Sequence, residues 1–132
     1  PWDDANFVIN VLRSIEDGHP VRAAEDVIVS PTYVPDLVNE TLDLLIDGEK
    51  GLWHVAGPDP VTWAELAARA ADVAGLPTHY IERCPSNALG WIAPRPLYSA
   101  LGSERAVLLP SLDDALARFT RDVEVPAAAA AA

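Results

Sequence analysis

The chain has 132 residues, of which 50% are hydrophobic, and its 20 acidic against 9 basic residues give a formal net charge of −11. This length allows a single domain and excludes a nucleotide-binding domain together with a separate substrate domain. The hydrophobic content excludes disorder over most of the chain, and the acidic charge argues against nucleic acid as a partner because phosphates are repelled.

The first half of the chain predicts two helices separated by short extended segments. Acidic residues at 3–4 precede apolar residues at helical spacing, and Gly18 stands where a left-handed residue ends a helix. Residues 21–29 are rich in Val and Ile but contain two acidic residues, which predicts one short strand and then a second extended stretch. Pro35 suits the first position of a helix that runs to about Asp47, because its missing N–H needs no partner there.

The next segments predict a buried strand, a helix and a further strand. Residues 51–57 are apolar with a glycine at each end, which is typical of a buried strand. Thr62 and Glu65 form a capping-box pattern that begins an alanine-rich helix ending near Ala74. Residues 79–83 predict another strand.

The last part of the chain predicts a long irregular stretch followed by one helix. Prolines and Gly90 make 84–109 irregular apart from a single turn at 99–105. Ser111 is the expected N-cap of the final helix, and the acidic pair at 113–114 complements its dipole rather than forming a catalytic pair of carboxylates. The predicted order is helix, strand, strand, helix, strand, helix, strand, coil, helix, an α/β domain over 1–125.

The ends of the chain predict a piece of a longer cytoplasmic protein. Met is absent and the chain starts at Pro1, which favours excision from a longer polypeptide over removal of an initiator. Residues 126–132, a proline and six alanines, have no periodicity and are predicted to be an appended or unassigned tail. Because no apolar run approaches the roughly 20 residues of a membrane span and no leader precedes the domain, we expect a cytoplasmic location without a membrane partner.

The sequence also lacks the residues for hydride transfer. No glycine cluster of the G-x-G-x-x-G or Walker type begins a helix. Lys50 is the only lysine and Ile46 stands four residues before it, so the Tyr-x-x-x-Lys pair of short-chain dehydrogenases is missing. We therefore predict no catalytic and no cofactor-binding residue within this chain.

Metal and thiol chemistry is not indicated either. The three histidines lack the spacing of a zinc site, so each is expected to be structural. Cys84 has no neighbour that would lower its pKa, which favours a buried inert thiol over a nucleophile and agrees with a reducing compartment. Packing is favoured over sugar stacking for the four tryptophans, Trp2, Trp53, Trp63 and Trp91.

Several stretches stand in a collinear order that fits a known family. They are Asn6-Phe7-Val8, SPTYVPDL at 30–37, GLWHVAG at 51–57, TWAELA at 62–67, PRPLYSAL at 94–101 and the closing helix at 109–119. Together they resemble the dTDP-4-dehydrorhamnose reductase family, the sugar-nucleotide branch of the extended short-chain dehydrogenases. The resemblance covers nearly all of residues 1–125.

The resemblance implies the C-terminal substrate-binding subdomain of such an enzyme, with helices packed on a few short strands and without the Rossmann half that precedes it in the family. It implies NADPH or NADH bound outside this chain, a 4-keto-deoxysugar nucleotide as substrate, Mg²⁺ in some members, and leaves a homo-oligomer open. Carried over residue by residue, it places the following near the sugar nucleotide: Asn6, Phe7, Thr32, Tyr33 and Arg95.

Some alternatives stay open. Arg95 is either a cation near the cleft or an anchor that bonds backbone carbonyls of the coil. The family has Gln and Gly where this chain has Val27 and Val29, so the substrate differs or the pocket is degenerate. One rival function is a non-catalytic nucleotide-sugar-binding or regulatory module, and another is a similar fold whose helices form an interaction surface.

Overall fold

Four helices and four short strands make up the part of the chain that the computed structural model describes, residues 6–93 and 95–123. The helices are α1 (Phe7–Glu16), α2 (Val34–Ile46), α3 (Trp63–Val73) and α4 (Leu112–Asp122). The strands are β1 (Val21–Ala24), β2 (Ile28–Val29), β3 (Val61–Thr62) and β4 (Ile81–Cys84), with single 3-10 turns at Thr78–Tyr80 and Ser86–Leu89. The predicted α/β class is confirmed.

The core forms around α3, whose inward face consists of small side chains. Four of its alanines are fully buried, Ala64, Ala67, Ala70 and Ala71. Because alanine adds only a methyl group, α1, α4 and β1 can pack closely on this helix. Larger side chains of α1, such as Leu12 at 1% exposure, fill the space beside it.

The four strands form two small sheets of two strands each. β1 and β4 pair in parallel, from Val21 opposite Ile81 to Ala24 opposite Cys84. β2 and β3 pair antiparallel. The irregular stretch after β4 is held on the other edge of β2, where the Ile28 N–H donates to the Leu97 carbonyl at 2.8 Å.

The strand predicted over 51–57 is wrong. This segment pairs with no strand among the described residues, because β2 is already occupied by β3 on one edge and by the chain around Tyr98 on the other. The Gly57 N–H instead donates to the Thr32 side chain. Strand pairing depends on which edges are free, and no local sequence pattern reports that.

Smaller corrections concern the segments around β4. The predicted strand over 79–83 begins two residues later, at Ile81, because the preceding residues form a 3-10 turn. The single turn predicted at 99–105 is only a bend at 104–105. The acidic start at 3–4, Trp2 and the tail at 126–132 lie outside the described residues.

The N-caps predicted for α3 and α4 are confirmed. Thr62 accepts from the Glu65 N–H at 3.1 Å while the Glu65 carboxylate accepts from the Thr62 N–H at 2.8 Å. That bond lowers the pKa of Glu65. The Ser111 hydroxyl accepts from the Asp114 N–H at 3.3 Å.

Among the helices described, none is long and apolar enough to cross a membrane.

Candidate functional site

A cavity of about 440 Å³ opens where the start of α1, the segment 31–35 and α4 meet. Its volume falls within the range of roughly 300–1,000 Å³ that small-molecule sites occupy. Apolar and aromatic side chains form most of its walls, with α4 contributing Leu112, Leu116 and Phe119. Four of the five residues predicted to contact substrate line it: Asn6, Phe7, Thr32 and Tyr33.

The fifth predicted residue, Arg95, lies at a neighbouring cavity of about 300 Å³. Arg22 of β1 and Trp91 also line this second cavity, and the Arg95 guanidinium lies 5.3 Å from the Trp91 ring centroid. Phe7 and Trp63 line both cavities. Their rings meet edge to face with centroids 4.6 Å apart, so this aromatic pair stands where the two cavities adjoin.

Thr32 is fixed in the cavity wall by bonds on both sides of its hydroxyl. Its Oγ1 accepts from the Gly57 N–H at 3.1 Å and donates to the Ser30 carbonyl at 3.3 Å. Gly57 approaches so closely that a Cβ there would lie 2.2 Å from the Pro31 carbonyl oxygen. Only glycine allows this approach, so residue 57 sets the position of the 30–33 segment.

Tyr33 is held against α4 by its hydroxyl and by its ring. The hydroxyl donates to the Asp122 carboxylate, and this bond raises the pKa of Tyr33 above its usual value. The ring meets Phe119 edge to face at 6.4 Å, and the Arg118 guanidinium lies 4.9 Å from the ring centroid. A tyrosine in this setting stays protonated at neutral pH and offers a phenol rather than a base.

Arg118 connects this wall to the first turn of α2. Its two terminal nitrogens donate to the two Asp36 oxygens at 2.5 and 2.6 Å. The Arg118 bonds lower the pKa of Asp36 and raise that of Arg118 itself. Asp114, one turn earlier on α4, accepts from the Arg118 Nε at 2.9 Å.

Asn6 and Arg105 also have defined structural tasks. The Asn6 Oδ1 accepts from the Ile9 N–H at 3.2 Å and caps α1, which leaves the amide nitrogen as its donor group. Arg105 anchors the backbone of the coil: it donates to the Lys50 carbonyl at 2.9 Å, and its guanidinium lies 3.7 Å from the Trp53 ring centroid. Both contacts fasten the coil after β4 to the segment after α2.

Residues 6–93 and 95–123 contain no group of three or more His, Cys, Asp or Glu side chains that could hold a metal ion. The Mg²⁺ implied by the resemblance therefore has no ligand cluster in this part of the chain.

Cys84 is buried, with its Sγ 3.8 Å from the Ala23 carbonyl oxygen. Val27, at the position where the resemblance implies Gln, is 2% exposed and belongs to the core.

Comparison with known proteins decides the family. A family model described as the RmlD substrate binding domain matches residues 3–124. The chain belongs to this family. The resemblance inferred from the ordered motifs is thereby confirmed, and the cavities described above are cavities of an RmlD substrate binding domain.

Curated relatives are much longer than this RmlD domain. The spore coat polysaccharide biosynthesis protein SpsK of Bacillus subtilis (strain 168) is 34% identical over 103 residues, which cover 78% of this chain and 35% of SpsK. A dTDP-4-dehydrorhamnose reductase of Mycolicibacterium smegmatis is 29% identical over 105 residues, which cover 79% of this chain and 32% of that protein. The chain thus spans about a third of the length of these relatives.

Solved structures share the fold of this RmlD domain. The dTDP-4-dehydrorhamnose reductase of Bacillus anthracis, solved in complex with NADP, matches 89% of this chain and 43% of its own with a TM-score of 0.81 and 26% identity. An orthologue from Clostridium acetobutylicum has the same TM-score of 0.81 at 19% identity, covers 92% of this chain and 45% of its own, and shows the fold alone.

Sequence reasoning missed three polar residues of the RmlD domain that stand at or behind the cavities. Arg22 was passed over inside a short apolar strand, although a cation there is itself a signal. Asp36 and Arg118 are separated by 82 positions, so no local pattern joins them. Only the spacing of Arg118 four residues after Asp114 was visible, and that predicts a surface ion pair.

Proposed function

We propose that this RmlD domain is the substrate-binding part of an NAD(P)H-dependent reductase that acts on a dTDP-linked 4-keto-deoxysugar such as dTDP-4-dehydrorhamnose. The observation that carries the proposal is the single cavity where Asn6, Phe7, Thr32 and Tyr33 converge in a domain of this family. The substrate class follows the name of the Mycolicibacterium relative.

The two cavities suit two parts of such a ligand, its deoxysugar and its diphosphate. The first has apolar walls and a few polar groups, a combination that binds a deoxysugar through its C–H faces and its hydroxyls. The second has Arg22 and Arg95 in its walls, which suits a diphosphate. Local cations outweigh the net charge of −11 there, because exposed charges more than about 10 Å away are screened by salt.

The hydride donor belongs to another domain in this proposal. No glycine-rich nucleotide loop occurs in the sequence, and the chain spans about a third of its curated relatives. NADPH or NADH would bind to that other domain, as NADP is present in the Bacillus anthracis structure. The domain's own residues would bind and orient the sugar nucleotide and exclude water from it.

Helix α2 offers the surface on which that other domain would pack. None of its residues is buried, although its hydrophobic side chains repeat at helical spacing. They form one stripe, with Leu45 exposed to 68% and Ile46 to 81%, that also includes Val34, Val38 and Leu42. A contiguous stripe of exposed apolar side chains is typical of a site of contact with another protein surface.

We also propose a cytoplasmic location. The cytoplasm is a reducing compartment, and the free thiol of Cys84 agrees with it.

The test is an NADPH oxidation assay on the whole encoded protein with dTDP-4-dehydrorhamnose as substrate. We expect oxidation by the whole protein and none by the 132-residue chain alone. A whole protein that binds the nucleotide sugar but leaves NADPH unoxidised would favour the regulatory-module alternative. Absence of both binding and oxidation would contradict the proposal entirely.

A further inference from the structure

Arg118 has an arrangement of contacts that a simple surface ion pair does not need. Its guanidinium forms a two-bond fork with Asp36, a third bond with Asp114, and a stack on the Tyr33 ring. The side chains of Arg118 and Asp36 are exposed to only 27% and 12%. The pair is therefore shielded enough from solvent to hold a defined geometry.

The contacts of Arg118 converge on one wall of the first cavity. Tyr33, which lines that cavity, immediately precedes α2 and has no side-chain bond that caps the helix. Asp36 lies in the first turn of the same helix. Arg118 donates two hydrogen bonds to Asp36 and stacks on the Tyr33 ring. It therefore fixes both the start of α2 and the aromatic side chain beside it.

Helix α4 holds Tyr33 at two points one turn apart. Arg118 contacts the face of the ring, and Asp122, four residues later, accepts from the hydroxyl. A ring fixed at its face and at its hydroxyl has lost the rotamer freedom that binding would otherwise have to remove. Arg118 helps to fix the Tyr33 side chain without lining the cavity itself, because its guanidinium stacks on the Tyr33 ring.

A second ion pair on α4 supplies the contrast. Arg69 of α3 and Asp113 meet through one contact at 3.2 Å, and their side chains are 44% and 70% exposed. Neither residue is among those that line the first cavity. This pair is an ordinary exposed ion pair between α3 and α4 that does not involve Tyr33. Its removal therefore measures how much the loss of any ion pair on α4 changes ligand affinity.

We propose that Arg118 is a positioning residue of the nucleotide-sugar site, which sets ligand affinity by holding Tyr33 in the cavity wall. The inference rests on the proposed function, because it assigns the site a ligand of that class. It adds a residue that the family motifs did not indicate and that acts through Tyr33 and Asp36 rather than by touching the ligand.

The experiment measures binding of dTDP-glucose, a stable analogue without the reactive ketone, to the full chain by calorimetry. The variants are Arg118→Ala, Arg118→Lys, Tyr33→Ala, the double Arg118→Ala/Tyr33→Ala, and Arg69→Ala as the matched control. We expect Arg118→Ala to weaken binding about tenfold, within the range of coupled neighbours. Arg118→Lys should be intermediate because it keeps the charge but not the fork, and Arg69→Ala should bind like the wild type.

The double variant separates positioning from a general structural role. If Arg118 acts through Tyr33, removing it in the Tyr33→Ala background should change the affinity by less than about twofold. A folded Arg118→Ala protein with wild-type affinity, or an undiminished effect in the Tyr33→Ala background, would overturn the inference. If Arg118→Ala does not fold, the same cycle is measured with Arg118→Lys.

A ligand-free measurement distinguishes failure of this inference from failure of the proposed function. The near-ultraviolet circular dichroism of Tyr33, taken as the difference from Tyr33→Phe, should diminish in Arg118→Ala and not in Arg69→Ala. If this signal depends on Arg118 while the wild type binds no dTDP-glucose, the proposed function fails and the positioning contact stands. If the Tyr33 signal is the same in Arg118→Ala as in the wild type, that result alone would overturn the positioning role.

Discussion

Replacing Gly57 by alanine is expected to destabilise the domain and to distort the candidate site together. The new Cβ would lie 2.2 Å from the Pro31 carbonyl oxygen, well inside the 3.0 Å below which real Cβ contacts essentially never occur. Because the opposing atom belongs to the backbone, a side-chain rotation cannot relieve the overlap. The two segments must separate, which also breaks the 3.1 Å bond from the Gly57 N–H to Thr32.

The size of the effect follows from these two losses. Overpacking of this kind costs about 1–3 kcal/mol, and the lost hydrogen bond adds about 1 kcal/mol. A domain of this length loses roughly 4 °C in Tm for each kcal/mol. We therefore expect a Tm lower by roughly 8–16 °C and, since Thr32 shifts with the loop, weaker binding of dTDP-glucose.

The assay is thermal unfolding followed by circular dichroism, with Gly102→Ala as the matched control. A Cβ at Gly102 meets nothing within 4 Å, so the same chemical change should alter stability by less than about 0.5 kcal/mol. Equal Tm values for the two variants would refute the argument that close approach at Pro31 positions the wall of the cavity.

The cap of α3, the packing of the core and the acid dependence of stability can each be tested by a single substitution. Thr62→Ala removes the bond to the Glu65 N–H at 3.1 Å and should lower the free energy of unfolding in urea by about 1 kcal/mol; an unchanged midpoint would contradict the capping role. Ala67→Leu enlarges a fully buried position and should cost about 1–3 kcal/mol in the same assay, and a variant as stable as the wild type would show that α3 is not tightly packed. Hydrogen bonds from Arg118 lower the folded-state pKa of Asp36, so its stabilisation is complete above the unfolded pKa of about 3.9 and is lost as the pH falls through the lower folded value. Asp36→Asn should therefore flatten the pH dependence of unfolding in that acidic window, and a variant that keeps the wild-type dependence would contradict the assignment.

The sequence predicted the features of the fold that depend on neighbouring residues. The box at Thr62 and Glu65 and the cap at Ser111 are formed as expected, because a cap involves residues within one turn. The strand at 51–57 failed for the opposite reason. Its composition suits a buried strand, but pairing requires a free edge, and β2 offers none among the described residues.

The candidate site was predicted to a similar extent. Family motifs indicated Asn6, Phe7, Thr32 and Tyr33, and the fold brings all four to one cavity. Their roles as ligand contacts stay predictions. The motifs did not reveal that Arg95 stands at a separate cavity, since no local pattern fixes the path of the coil after β4.

We propose that the cavity between α1, the 31–35 segment and α4 binds a nucleotide sugar. Two-dimensional NMR of the isotopically labelled chain during a titration with dTDP-glucose shows which residues the ligand contacts. We predict that the largest shifts cluster on the amides of Asn6, Thr32 and Tyr33, with smaller ones near Arg95. An unchanged spectrum, or shifts confined to the exposed stripe of α2, would contradict it.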